Sequence, residues 1–219
     1  MKKEHAILFD MDGVLVDSEP ALAQVSSEVF REIDIPANPE DFAPYIGMGE
    51  DTYLGEVFRK YGQEYDPEIK LKVYDRYKEE AEKYVRTFPG TLDLLNRIKS
   101  KDIKMGVASA ADLIKVEANL KALGFNDFDS IITGSDIERK KPFPDIYLLA
   151  AEKIGVEPAN CIVVEDATAG IESGNAAGMT TIGFTSAVSR EGLLAAGADY
   201  VVDNFAQLKE LIKKLISED

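Results

Sequence analysis

The sequence is poor in cysteine, histidine and long apolar runs. Among 219 residues there is one cysteine, Cys161, and one histidine, His5. One cysteine allows no disulfide within the chain. The single histidine lies in the charged N-terminal tail, where we do not expect it to support a Ser-His-Asp triad or a multi-histidine zinc site. No run of about eighteen apolar residues is present, so the sequence predicts no membrane span. The charged start, Met1–His5, leads into no signal-peptide pattern, and we expect a cytoplasmic protein.

Basic residues are scarce relative to acidic ones. The chain carries 25 Lys and Arg residues against 40 Asp and Glu residues, a formal net charge of -15. Such a surface repels polyanions, which excludes nucleic acid as a partner. The hydrophobic content of 45% is sufficient for a folded core. This length has room for one α/β domain with a sizeable insertion, or for two small domains.

Apolar strand-like runs alternate with amphipathic helical patterns over most of the chain. The predicted strands are Ala6–Phe9, Lys104–Ala108, Ser130–Thr133, Cys161–Glu165, Thr180–Phe184 and Tyr200–Val202. The predicted helices are Gly90–Lys101, Asp112–Leu123, Pro144–Ile154, Gly170–Ala177, Arg190–Ala196 and Phe205–Ile216. This alternation predicts an α/β fold with a doubly wound parallel sheet and helices on both faces.

Between residues 18 and 85 the pattern changes to helices alone. Three series of apolar residues recur at helical spacing, from Leu22 to Ile33, from Tyr53 to Tyr61 and from Ile69 to Tyr84. We therefore predict a small helical domain, residues 18–85, inserted into an α/β core of residues 1–17 and 86–219. The two crossings between these domains are the expected hinges.

Two acids, Asp10 and Asp12, directly follow the first predicted strand. A buried strand has no packing reason to end in two carboxylates, because their burial is unfavourable unless a metal or hydrogen bonds compensate it. In an open α/β sheet the carboxyl ends of the strands line one edge, where ligands bind. The position of this acidic pair therefore points to a functional site.

Other polar residues follow later strands of the same predicted sheet. Ser109 and Ala110 follow the second strand, Lys141 lies in a later loop, and Glu165 and Asp166 end another strand. Taken singly, the serine could cap a helix and the lysine could be a solvated surface charge. Together, carboxylates, a hydroxyl and a lysine predict a magnesium site beside a site for phosphoryl oxygens.

These motifs resemble those of the haloacid dehalogenase superfamily phosphotransferases, in the β-phosphoglucomutase-like and phosphoglycolate-phosphatase-like branch with a helical cap. The resemblance extends over essentially the whole chain. The matching stretches are Phe9–Asp17 for the first motif, Ser109 for the second, Lys141-Pro142 for the third and Val164–Ile171 for the fourth.

The resemblance implies a catalytic role for both acids of the first motif. Asp10 would be the nucleophile that forms an aspartyl-phosphate, and Asp12 would be the general acid and base. An acid at position 12 also distinguishes phosphotransferases from the family members that displace halide, because halide needs no proton.

The same resemblance implies how cofactor and phosphate would be bound. Mg²⁺ would be held by the Asp10 and Asp166 carboxylates and the Asp12 main-chain carbonyl, with Glu165 bound directly or through water. The remaining phosphoryl oxygens would be held by Ser109, Lys141 and the backbone amide of Ala110.

The predicted helical insertion departs from the mutase pattern. Leu22 occupies the position of a mutase histidine, and Glu50 occupies that of an arginine which grips a second phosphate. A carboxylate there would repel a second phosphate. Gly47, in the same loop, suits close approach to a ligand, although a plain turn explains it equally well. We therefore expect a phosphatase acting on a small monoester, with sugar phosphates as the leading class.

Three alternatives remain open from the sequence: a β-phosphoglucomutase-type mutase, a receiver-like phospho-acceptor and a non-catalytic regulator. The helical insertion and the position of Asp10 on the first strand count against a receiver. The intact motifs count against a regulator. We expect a small phosphorylated metabolite as the partner, no nucleic acid or membrane, and a monomer or weak dimer.

Overall fold

The computed structural model describes residues 4–101 and 103–217, which divide into two compact units. The α/β unit comprises the described residues up to Val16, Thr87–Leu113, and those from Phe125 onward. The helical unit comprises Asp17–Arg86 and Ile114–Gly124. None of the helices in the described ranges is long and apolar enough to cross a membrane.

The strands of the described chain form two sheets. They are β1 (Ala6–Phe9), β2 (Val16–Asp17), β3 (Arg86–Thr87), β4 (Lys104–Ala108), β5 (Ser130–Ile132), β6 (Cys161–Glu165), β7 (Thr180–Phe184) and β8 (Tyr200–Val202). Six of them form a parallel sheet in the order β5-β4-β1-β6-β7-β8, while β2 pairs with β3. Every residue of β1 and of β6 is buried, as expected for strands covered on both faces.

The helices are α1 (Glu19–Glu32), α2 (Glu50–Lys60), α3 (Glu68–Tyr84), α4 (Thr91–Lys99), α5 (Leu113–Leu123), α6 (Asp145–Ile154), α7 (Thr168–Ala176), α8 (Arg190–Ala195) and α9 (Phe205–Ser217). Short 3₁₀ turns cover Pro39–Asp41, Ala43–Tyr45 and Pro158–Asn160. In the α/β unit the helices alternate with the strands of the parallel sheet. The predicted fold class is therefore confirmed.

Small differences from the sequence predictions have local causes. β5 ends at Ile132, because the amide and hydroxyl of Thr133 instead donate to Asp136 Oδ2 at 2.8 and 2.7 Å. α7 begins at Thr168, two residues before the predicted start, since Ala167 has the extended backbone of an N-cap. β2 and β3 have two residues each, too few to give an alternating pattern.

The helical unit has its own core and includes a segment distant in sequence. Phe30 packs edge-on against Phe42 and Phe58, with ring centroids 5.3 and 4.7 Å apart. From the distant segment, Asn119 accepts a 2.6 Å hydrogen bond from the Tyr77 hydroxyl, and both side chains are fully buried. Residues 114–124 fall within the predicted α/β core of residues 86–219, but in the structure they group with the helical unit.

Candidate active site

Asp10 leaves the central strand of the parallel sheet. β1 lies between β4 and β6, with Phe9 in register with Val107 on one side and Val164 on the other. The Asp10 amide donates to the Val164 carbonyl at 3.0 Å, so Asp10 stays in line with the end of β6. The apolar run that forms β1 therefore brings this acid to the carboxyl edge of the sheet, buried at 8% exposure.

Lys141 links two acids through its ammonium group. Its Nζ donates to Asp10 Oδ1 at 2.5 Å, to Glu165 Oε1 at 2.6 Å and to the Ala108 carbonyl at 2.9 Å. These three bonds use all three ammonium donors. Burial disfavours the charged ammonium, but the Asp10 and Glu165 charges raise the Lys141 pKa well above its usual range. Lys141 is therefore a fixed positive charge beside the candidate nucleophile.

Glu165 is saturated by protein donors. Its Oε1 accepts from Lys141 and from the Tyr147 hydroxyl, the latter at 2.8 Å. Its Oε2 accepts from the backbone amides of Asp166 and Ala167 at 3.0 and 3.3 Å. A Cβ at Gly170 would overlap this carboxylate, so glycine is required there. With about four lone-pair positions occupied, the Glu165 carboxylate is held rigidly.

Asp166 lies beside Asp10 and Glu165. One oxygen from each of these three carboxylates lies within 4.8 Å of the others. Asp166 Oδ2 accepts from the Ser186 hydroxyl at 3.1 Å. Gly13 has a φ of +81°, and a Cβ there would overlap the Asp166 carboxylate. Glycine at position 13 is thus needed both for the turn and for the approach of this acid.

The charges of this cluster suit a hard cation. Burial raises the pKa of Asp10 to about 7 against the lowering effect of Lys141, and Glu165 and Asp12 add to the rise. Burial, with the charges of Glu165 and Asp10, also raises the Asp166 pKa well above its usual range. If all three clustered carboxyls were ionised, three negative charges would face one ammonium, an excess of two. A divalent cation bound by oxygen ligands fits this excess.

Asp12 and Ser109 lie close together in the same unit. The Ser109 hydroxyl is 3.4 Å from Asp12 Oδ2, and it accepts a 3.2 Å hydrogen bond from the Ala111 amide. Ser109 is buried and follows β4, with Ala110 next to it. The structure thus brings the predicted acids, the serine and the lysine to one edge of the sheet.

The other predicted residues have different positions. Lys141 reaches the acids, as predicted, whereas its neighbour Lys140 is exposed. Gly47 precedes α2 with a φ of +81°, and Glu50 is the first residue of α2, both in the helical unit. Their role in substrate selection stays a prediction.

Two polar contacts of the site were missed from the sequence. Tyr147 lies on the buried face of α6, and in the sequence it has the helical spacing of an ordinary core residue. Ser186 follows β7, and the rule that strand ends line the site, applied to this strand as well, would have found it.

Comparisons with known proteins identify the family of this chain. The sequence profile of the haloacid dehalogenase-like hydrolases matches residues 7–184. Phosphoglycolate phosphatase of Escherichia coli (strain K12) is 30% identical over 204 residues, covering 83% of this chain and 81% of that protein. Protein SUPPRESSOR OF QUENCHING 1, chloroplastic, of Arabidopsis thaliana is 39% identical over 215 residues. That match covers 94% of this chain, which spans only 20% of the Arabidopsis protein.

A solved structure also resembles this chain over nearly its whole length. The crystal structure of beta-phosphoglucomutase from Clostridium difficile superposes with a TM-score of 0.73 at 29% identity, covering 98% of each chain. The profile match, the phosphatase and mutase relatives and the acidic edge of the sheet all point to one assignment. The chain belongs to the haloacid dehalogenase-like hydrolase family and is a phosphatase-type enzyme of that family.

Proposed function

We propose that this protein is a magnesium-dependent phosphatase that hydrolyses a small phosphate monoester through an aspartyl-phosphate on Asp10. The observation that carries the proposal is the contact of Asp10 with the Lys141 ammonium, next to two further buried carboxylates. This combination supplies a nucleophile, a fixed positive charge and a set of oxygen ligands at one place.

Asp10 and Asp166 are the side chains that would hold the cation, together with the main-chain carbonyl of Asp12. Both oxygens of Glu165 already accept two protein hydrogen bonds each, which favours an indirect role for Glu165. When bound, Mg²⁺ shields the anionic phosphate from the anionic nucleophile.

The chain's own residues then account for the transfer. An Asp10 carboxylate oxygen attacks phosphorus, the P–O bond of the ester breaks, and Asp12 donates its proton to the leaving oxygen. Water next attacks the aspartyl-phosphate, Asp12 takes up its proton, and the bond between phosphorus and Asp10 breaks to release phosphate. Lys141 and Ser109 would bind phosphoryl oxygens through both displacements, because each offers a donor at the edge of the sheet.

The helical unit favours hydrolysis over a mutase reaction. A mutase must hold a second phosphate, and Glu50 offers a negative charge where the mutases of this family have an arginine. Leu22 is buried in α1 and carries no proton in place of the mutase histidine. The likeness to beta-phosphoglucomutase keeps a mutase as the second candidate. We propose sugar phosphates, with phosphoglycolate beside them, as the substrate class.

The test is a screen of phosphate release with Mg²⁺ present over sugar phosphates, phosphoglycolate, nucleotides and pyrophosphate. Asp10→Asn is the matched control, and it should lose activity while keeping its fold. Near-normal turnover by folded Asp10→Asn would contradict the assignment of the nucleophile.

The same preparations are then tested for conversion of β-glucose 1-phosphate into glucose 6-phosphate, with and without a sugar bisphosphate. We expect free phosphate and no useful isomerisation. Efficient, bisphosphate-stimulated isomerisation by the native protein would instead establish the mutase. Glu50→Arg should tighten bisphosphate binding if this loop contacts the substrate.

A further inference from the structure

The hydroxyl of Tyr147 occupies a position that the proposed chemistry has not yet used. Tyr147 is fully buried in α6, and its hydroxyl donates to Glu165 Oε1 at 2.8 Å. Its ring also lies beneath the Lys141 ammonium, with Nζ 5.0 Å from the ring centroid. One side chain therefore contacts both members of the buried Lys141–Glu165 ion pair.

Glu165 Oε1 is shared between two donors, and this sharing affects Lys141. The Lys141 ammonium divides its bonds between Glu165 Oε1 at 2.6 Å and Asp10 Oδ1 at 2.5 Å. By donating a hydrogen bond, the Tyr147 hydroxyl partly compensates the negative charge on Oε1. Without it, Oε1 would keep only the ammonium as a donor and would attract it more strongly. The ammonium would then shift away from Asp10, where phosphoryl transfer needs it.

The tyrosine itself is held firmly in place. Its backbone amide donates to the Pro144 carbonyl at 3.1 Å. At the start of the same helix, Asp145 accepts two hydrogen bonds from the Arg139 guanidinium, each 2.9 Å long. A hydroxyl carried by an anchored helix keeps its direction through a reaction, as preorganised catalytic groups require.

We propose that Tyr147 is a positioning residue for phosphoryl transfer, which acts through Glu165 to keep the Lys141 ammonium on Asp10 and its phosphoryl group. The proposal rests on the proposed function, because Lys141 can be positioned for transfer only if Asp10 is the nucleophile. Tyr147 touches neither substrate nor reacting atoms in this role. Its loss should therefore affect the transition state more than substrate binding.

Tyr147→Phe removes the hydroxyl and keeps the ring. With p-nitrophenyl phosphate and saturating Mg²⁺, kcat should fall about tenfold while KM changes less than twofold, since one hydrogen bond to a buried charge is lost. Inhibition by vanadate, which mimics the transferring phosphoryl group, should weaken by a similar factor. Inhibition by inorganic phosphate should stay within twofold. Tyr200→Phe, in the same unit and 39% exposed, is the matched control and should behave as the native protein.

A double-mutant cycle with Glu165→Gln separates positioning from a general loss of stability. If Tyr147 acts through Glu165, Tyr147→Phe should change kcat less than twofold in the Glu165→Gln background. If Tyr147→Phe does not fold, Tyr147→Met also removes the donor and is measured in its place, with the same results expected.

Three results would overturn the proposal. They are unchanged kcat in Tyr147→Phe, equal effects of this substitution with and without Glu165→Gln, and a loss expressed only in KM. A native protein that releases no phosphate from any ester would overturn the proposed function together with this role. Failure of Tyr147 alone would leave native turnover intact.

Discussion

Replacing Gly170 by alanine should destabilise the protein, although the same change usually stabilises a helix. Gly170 lies in the first turn of α7, where alanine would ordinarily gain about 1 kcal/mol of helix stability. Here the added Cβ would overlap the Glu165 carboxylate, which must rotate away. If two of the four hydrogen bonds to Glu165 are lost at about 1.5–3 kcal/mol each, the net loss is roughly 2–5 kcal/mol.

The matched control is Gly55→Ala in α2. A Cβ at Gly55 would lie 3.5 Å from Cγ of Tyr65, an ordinary contact, so this variant should gain up to about 1 kcal/mol. Free energies of unfolding from urea titrations of both variants and the native protein give the comparison. Phosphate release should fall in Gly170→Ala and stay native in Gly55→Ala. A Gly170→Ala protein as stable and active as Gly55→Ala would refute the inference that Glu165 is held against this helix.

Three further predictions concern the cation, a neighbouring hydroxyl and a surface acid. Excess chelator should abolish phosphate release, Mg²⁺ should restore it, and Ca²⁺ should inhibit because its looser coordination misaligns the attack; full activity in chelator would contradict this. Ser186→Ala removes a hydrogen bond to Asp166 and should raise the apparent Kd for Mg²⁺ about tenfold, as measured by thermal stabilisation. Thr185→Val, which removes a hydroxyl that bonds Asp203 at 3.1 Å, should leave this Kd unchanged. Partial burial raises the pKa of Asp41, but hydrogen bonds from the Asn38 amide, Lys60 and Tyr61 outweigh it and lower the pKa from 3.8 to about 2. Asp41→Asn should cost about 1 kcal/mol of unfolding free energy at pH 7. The difference in unfolding free energy between the native protein and Asp41→Asn should shrink between pH 4 and 2, where the native carboxylate becomes protonated. A difference that does not change with pH would contradict the inference that hydrogen bonds to the Asp41 carboxylate stabilise the fold.

The parallel sheet could be predicted because its strands are buried on both faces. Such strands are short continuous apolar runs, as in Ala6–Phe9 and Cys161–Glu165, and the structure has both at the predicted bounds. The polar residues at their ends were recognisable because acids are out of place after a buried strand. Local sequence was therefore enough to predict both the sheet and the central part of the site.

The residues that support the site could not be predicted in the same way. Tyr147 is 18 positions from Glu165 in the chain, and a tyrosine on the apolar face of a helix resembles core. The attachment of residues 114–124 to the helical unit depends on contacts such as Tyr77 with Asn119, 42 positions apart. The amphipathic pattern of α5 indicates that one face is buried but not which partner covers it.

The membership of residues 114–124 in the helical unit bears on how such enzymes can be recombined. A chimaera that exchanges only residues 18–85 with a relative would separate Tyr77 from Asn119. It would also separate Glu19 from Lys115, whose Nζ lies 3.5 Å from Glu19 Oε1. The loss of the buried hydrogen bond between Tyr77 and Asn119 alone would cost about 0.5–1.5 kcal/mol. The unit of exchange therefore has two pieces in sequence, and grafts that transfer both should fold where single-piece grafts fail.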